Sequence, residues 1–317
     1  MSKSHHHEHG YEGGQSPNHG GHAHTPTSFG AAFLIGIALN LGYVVGETIY
    51  GLLGHSLALL ADACHNLSDI LALGMAWGAA AVSRRQPTHR YTYGFRSTSI
   101  LAALVNAILL LVVTGGIMWE AIRRLTEPEP SAGLTIIVVA AIGIVINAAT
   151  ALLFMSGRKG DLNIRAAFTH MATDALVAFG VVVAGAVILW TGWLWFDPAV
   201  SIAISLVIVA GTWGLLRASV NLALAAVPES IDRGAVETFL ASLPGVREIH
   251  DLHIWGISTH ETALTVHLVR PDAHPDDALL FHTSTELHRR FGIAHATFQV
   301  EAGDETHPCG LADANTV

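Results

Sequence analysis

His65 and Asp69 stand four residues apart in LALLADACHNLSDILALGMAW (57–77), and His170 and Asp174 repeat that spacing in AAFTHMATDALVAFG. On a helix, residues four apart share one face, one turn above each other. Both runs are apolar, and a charge at the centre of a bilayer costs about 2.5–3.5 kcal/mol even on the gentlest insertion scale. Side chains kept at that cost are candidates for function. Two helices facing each other would offer two imidazoles and two carboxylates to one ion. Zn²⁺, a borderline ion that takes nitrogen and oxygen in a tetrahedron, suits that set. An all-oxygen cage would favour Mg²⁺ or Ca²⁺, and thiolates would favour Cu(I).

Taken singly, each His–Asp pair could be a buried hydrogen-bonded pair that holds helices together, and a closed structural zinc is a further reading. The recurrence in two separate spans argues for a metal site. Cys64 adjoins His65 but points about 100° away round the helix, so it is not expected to share the site. Asp62 lies on the face of His65 and Asp69, and reads as an entry-path or packing residue rather than a third ligand. Asn40 and Asn147 are polar residues inside apolar spans. They either partner the ligands, line a water path or hydrogen-bond between helices. Metal ligands bind deprotonated, so metal binding releases protons and protonation releases metal. Histidine titrates near neutral pH. A site that opens alternately to each side would exchange a cation for protons.

The rest of the chain must hold such a pair of helices in a membrane. Of 317 residues, 51% are hydrophobic and only 13% are charged, a composition of a membrane protein. Six apolar stretches near the roughly 20 residues of a spanning helix fall at about 30–51, 57–82, 98–122, 132–155, 164–191 and 198–222. Six spans put both termini on one side. The breaks SRRQPTHRYTYGFR and SGRKGD carry Arg84, Arg85, Arg90, Arg96, Arg158 and Lys159, so the positive-inside rule places both termini in the cytoplasm. Small residues in ALGMAWGAAA and VVVAGA permit close helix packing. The net charge of −9 gives no sign of nucleic-acid binding. Two cysteines exclude a disulfide framework. The first 27 residues hold seven histidines and read as a disordered segment with loose metal affinity.

After the last span the pattern changes. Helical periodicity over 231–242 gives way to alternation in LHIWGI and ALTVHLV, then to the helical DDALLFHTSTELHRRFG and the alternating AHATFQVE. The order αββαβ describes a small cytoplasmic α+β domain. Leu264, Val266 and Leu268 take one face and Thr265 and His267 the other; His295, Thr297, Gln299 and Glu301 share a face of the last strand. Strict alternation puts His253, not His250, on the polar face with Asp251. The expected organisation is a polar segment at 1–28, a membrane bundle at 29–226, the cytoplasmic domain at 227–303 and a disordered tail at 304–317.

SLALLADACHNLSD, YTYGFRSTSILAALVNA, FTHMATDALVAFGV, GVREIHDLHIWGIS, LTVHLV and HATFQVE, in this order, resemble the cation diffusion facilitator family in its zinc-transporter branch. The resemblance spans about residues 30 to 301. It implies an all-α six-helix transmembrane bundle with a C-terminal ferredoxin-like domain, acting as a homodimer that exports Zn²⁺ in exchange for H⁺ by alternating access. It implies a transport site at His65, Asp69, His170 and Asp174, and cytoplasmic ligands at His250, His267, His295 and Glu301 for a regulatory Zn²⁺. The preference for His250 departs from strict alternation, and a bulge at the strand start would reconcile the two. The loop between the second and third spans has only His89 and no acid, so the extra metal site of some relatives is not expected. Ser97 and Ser99 stand where many relatives carry Arg and Glu, so a charge pair there is expected to be missing.

Zn²⁺ efflux is the leading expectation, with Cd²⁺ and Co²⁺ tolerated. An intramembrane metalloenzyme is one alternative, though no HExxH helix is present. A membrane-bound metal sensor is another. The expected partners are Zn²⁺, protons and membrane lipid, and the expected location is a bacterial inner membrane.

Overall fold

The computed structural model describes residues 31–83, 85–155, 162–271, 277–304 and 309–312; at 31–37, 73, 76, 77, 79, 80, 83, 153–155 and 162–170 the description is of the backbone alone. The histidine-rich segment at 1–28 and the side chain of His170 therefore lie outside the described residues, as does most of the tail.

Six long helices come first: α1 (Ala31–Leu53), α2 (Leu57–Ser83), α3 (Thr98–Thr126), α4 (Gly133–Met155), α5 (Leu162–Thr191) and α6 (Phe196–Ala223). Among the described residues, Thr98–Thr126, Gly133–Leu152, Met171–Thr191 and Phe196–Ala223 are long and apolar enough to cross a membrane. α1 and α2 run 23 and 27 residues, or about 35 and 40 Å at 1.5 Å per residue. Many outward side chains of these helices are apolar, among them Val112, Trp119, Val145 and Trp190. Polar groups instead point inward: Glu47, Asp62, Asn106, Asn147 and Asp174 are buried. A surface apolar outside and polar within suits a lipid solvent.

Two devices fix how the helices meet. At the start of α2, Ser56 accepts a hydrogen bond from the Leu59 N–H at 3.2 Å and donates to Asp197 Oδ1 at 2.6 Å. Asp197 also accepts from the Leu57 N–H at 2.8 Å, so the first turn of α6 caps the orphan donors of α2. Between α4 and α5, the backbones approach through glycine. A Cβ on Gly185 would sit 2.9 Å from the Gly133 carbonyl oxygen and 2.8 Å from Ile137 Cγ1. Only a residue without a side chain fits there, as small-residue packing in membranes requires.

The C-terminal domain follows the expected order: α7 (Arg233–Ala241), β1 (Glu248–Gly256), β2 (Thr262–Val269), α8 (Asp277–Phe291) and β3 (Ile293–Glu301). Asp232 caps α7 by accepting from the Ala235 N–H at 3.1 Å. The sheet order is β1-β2-β3, with β1 antiparallel and β3 parallel to β2. α8 supplies the crossover that a parallel pair needs. Leu264, Val266 and Leu268 alternate into a core with Val236, Leu240, Leu287 and Ile293, each worth roughly 1.5–3 kcal/mol of burial.

Strict alternation fails in β1. The register slips between His250 and His253, and Asp251 takes a left-handed φ of 51°. This bulge sets His250 opposite His267, on the face that His253, opposite Thr265, also shares, so strict alternation fails only in excluding His250.

The two parts touch through the α2–α3 loop. The Arg96 guanidinium is ion-paired with Glu261. Ser97 Oγ donates to the Ile257 carbonyl at 3.1 Å, and Ser99 Oγ accepts from the Thr259 N–H at 3.1 Å. The serines thus serve as hydrogen-bonding contacts to the β1–β2 turn, and an ion pair lies beside them.

Candidate metal centres

α2 presents His65 and Asp69 on one face, and α5 brings Asp174 to them from 105 residues further along the chain. His65 Nε2 lies 3.6 Å from Asp69 Oδ2 and 3.5 Å from Asp174 Oδ1. One ligand atom from each of the three lies within 4.8 Å of the others. His65 and Asp69 are partly open while Asp174 is 1% exposed. A carboxylate so deep in an apolar bundle needs a cationic partner, and an imidazole plus an incoming cation provide one. His170, one turn before Asp174 on α5, is the fourth expected ligand, and its side chain lies outside the description.

These residues line a cavity of about 1020 Å³ whose walls come from α2, α3, α5 and α6. Ser68 and Asn106 also line it and are paired across α2 and α3, Asn106 Nδ2 donating to Ser68 Oγ at 3.2 Å. Neither was singled out from the sequence. Asn106 is a polar residue inside an apolar span, which is the signal that could have found it.

Asp62 is buried on α2, next to Glu47 of α1 and within electrostatic reach of His65 and Asp174. Glu47 in turn accepts from Tyr43 Oη at 2.7 Å and from Asn66 Nδ2 at 3.5 Å. Asn40 is half-buried on α1. Asn147 is buried on α4, its amide making no hydrogen bond to the described residues. Cys64 is directed at Thr114 of α3, and it is not among the grouped ligands.

A second group forms on the open face of the cytoplasmic sheet, from His250, His267, Glu301 and Cys309. His267 Nδ1 is 2.9 Å from Glu301 Oε1 and 3.3 Å from His250 Nε2; His250 Nε2 is 3.4 Å from Glu301 Oε2. The bulge places Asp251 behind them, with Oδ2 3.4 Å from His267 Nε2 and Oδ1 2.8 Å from His253 Nε2. His253 is thus a partner of Asp251 on the exposed side, outside the group. His295 is also outside it. Six residues along β3 from Glu301, or about 20 Å, its ring meets Tyr93 of the α2–α3 loop edge-on at 5.6 Å.

Two members of this second group depart from their ordinary values. Burial pushes the Glu301 carboxyl up, but hydrogen bonds from Cys309 and Gln299 and the neighbouring imidazoles bring it below its ordinary value. The Leu311 N–H pulls the Cys309 thiol down, and desolvation and Glu301 together push it above its ordinary value.

Comparison with known proteins agrees with this architecture. The cation efflux transmembrane domain matches residues 33–222, and the cytoplasmic domain of cation efflux proteins matches residues 228–303. The cation efflux system protein CzcD of Alcaligenes sp. (strain CT14) is 36% identical over 93% of this chain and 92% of its own. The zinc transporter ZitB of Escherichia coli (strain K12) is 38% identical over 88% of this chain and 90% of its own. A cadmium, cobalt and zinc/H⁺-K⁺ antiporter of Bacillus subtilis (strain 168) is 33% identical over 90% of this chain and 94% of its own. These relatives are transporters rather than enzymes. With its apolar helices, its terminal α+β domain and relatives matched over nearly its whole length, this multi-pass membrane protein belongs to the cation diffusion facilitator family.

Proposed function

We propose that the protein exports Zn²⁺ from the cytoplasm in exchange for protons, with Cd²⁺ and Co²⁺ as further substrates. The observation that carries this reading is the convergence of His65, Asp69 and Asp174 from two helices on one cavity inside the bundle. His170 completes the set as the fourth ligand. Two imidazoles and two carboxylates match a borderline divalent cation and disfavour harder ions.

Zn²⁺ entering from the cytoplasm meets the ligands in their deprotonated forms and displaces any protons they hold. With the ion bound, the net charge of the site falls toward zero, and the bundle reopens on the opposite side by alternating access. Protons arriving there reoccupy the imidazoles and expel the ion. Return of the protonated site completes one exchange. Ser68 and Asn106 supply polar wall on the route to the ligands. The chain acts as a homodimer, with both termini in the cytoplasm of a bacterium and the bundle in its inner membrane. The cytoplasmic domain takes a second Zn²⁺ as a regulatory ligand, and the Arg96–Glu261 contact carries its state to the bundle. The ions in the relatives' names, zinc, cadmium and cobalt, support the choice of ions.

Proteoliposomes with an imposed pH gradient test this. Wild type should move Zn²⁺ against a counterflow of protons, and Asp174→Ala should not. Equal transport by the variant would make the intramembrane group structural. Zn²⁺ flux indifferent to the pH gradient would remove proton coupling.

A further inference from the structure

We propose that Cys309, from the chain beyond β3, is a thiolate ligand that completes a four-coordinate site with His250, His267 and Glu301. This rests on the reading that the cytoplasmic domain binds metal, and adds the ligand that decides which metals it takes. The sulfur lies 3.5 Å from His267 Nδ1, and the four ligand atoms lie within 4.8 Å of one another. Zinc bonds of about 2.0–2.3 Å put neighbouring atoms of a tetrahedron about 3.3–3.6 Å apart. The separations of 3.5 Å for sulfur to His267, 3.3 Å between the imidazoles and 3.4 Å from His250 to Glu301 Oε2 match that spacing. An ion fits between these atoms with little rearrangement.

The surroundings orient His267 and Glu301 as metal sites require. Ligating histidines give their other ring N–H to a carboxylate or carbonyl, which fixes the tautomer. His267 has Asp251 Oδ2 3.4 Å from Nε2, on the side away from the sulfur. That arrangement leaves Nδ1 as the metal-facing atom and gives the left-handed Asp251 a purpose. Gln299 Nε2 donates to Glu301 Oε1 at 2.9 Å, which leaves Oε2 for the ion. Behind β3 the chain turns at Gly303, with φ 68°, where a Cβ would lie 2.7 Å from Val269 Cγ1 and 2.8 Å from Arg247 Nη2. A glycine is what that turn admits.

A set of two imidazoles, one carboxylate and one thiolate favours Zn²⁺, Cd²⁺ and Co²⁺ over Mn²⁺ and Mg²⁺. It differs from the sulfur-free transport site, so the two sites should rank metals differently. Binding replaces the thiol proton with the ion and releases that proton to solvent.

Cobalt absorption on the full-length chain in detergent tests this, in a Cys64→Ser background where Cys309 is the sole thiol. Added Co²⁺ should give near-ultraviolet thiolate-to-cobalt charge transfer together with tetrahedral d–d bands. Replacing Cys309 with Ser should abolish the charge transfer and weaken the cytoplasmic site by about tenfold or more, since even outer partners of a ligand are worth that. His267→Ala should abolish the same charge transfer. Cobalt d–d bands that depend on His250 and His267 without charge transfer would overturn the thiolate while leaving the cytoplasmic site standing. Charge transfer that survives His267→Ala would also overturn the proposal, because the thiolate would then bind metal elsewhere. Cobalt bound with neither charge transfer nor dependence on His250 and His267 would overturn both the thiolate and the cytoplasmic site.

Discussion

His65 Nε2 of α2 and Asp174 Oδ1 of α5 lie 3.5 Å apart although 109 residues separate them. Two helices are thereby held at one point by groups that a cation can bridge. Asp174→Asn keeps the shape of the side chain and removes its charge. The variant should fold and insert normally yet bind Zn²⁺ at the intramembrane site at least about tenfold more weakly. Calorimetric titration of the purified protein measures this, and unchanged affinity would remove Asp174 from the ligand set.

Asn106 stands in the wall of the same cavity, hydrogen-bonded to Ser68. Asn106→Asp adds an oxygen anion at almost constant volume. Oxygen-rich sites favour harder ions, so the ratio of Mn²⁺ to Zn²⁺ transport should rise. Competition flux assays in vesicles read the ratio. An unaltered ratio would mean that Asn106 does not meet the ion.

Gly185 and Gly133 bring α5 and α4 together, with no room for a methyl group between backbone atoms. Gly185→Ala should cost about 1–3 kcal/mol through overpacking, because backbone cannot yield as a flexible side chain can. A lower thermal midpoint in detergent would show it. Gly180, whose added Cβ would meet nothing within 4 Å, is the control, and Gly180→Ala should leave the midpoint nearly unchanged.

Arg96 and Glu261 join the loop after α2 to the β1–β2 turn, both partly solvent-exposed. A pair so exposed contributes at most about 1 kcal/mol of stability, so Glu261→Gln should barely move the thermal midpoint. Its effect should appear in coupling: transport should lose its acceleration by metal at the cytoplasmic group, while cobalt absorption there stays intact. Transport that still responds to metal as in wild type would assign the link to Ser97 and Ser99 instead.

The amino-acid sequence by itself determined the six helices, the order αββαβ and the two His–Asp pairs, because these are local. Apolar length, period and turn-forming breaks are written in consecutive residues, and four-residue spacing fixes a shared helix face without any knowledge of neighbours. It did not determine which histidine of β1 joins the ligand group. Alternation selects His253, and the bulge at Asp251, a product of how β1 pairs with β2, selects His250. Nor could it choose between His295 and Glu301. Their six-residue spacing sets them about 20 Å apart along the strand, but only the pairing of β3 with β2 decides which of them lies by His267. Ser68 with Asn106, Arg96 with Glu261, and Cys309 with His267 are contacts between residues 38, 165 and 42 apart. No local pattern encodes such meetings. They are decided when helices and strands pack, because only then does burial bring together groups that the chain keeps far apart.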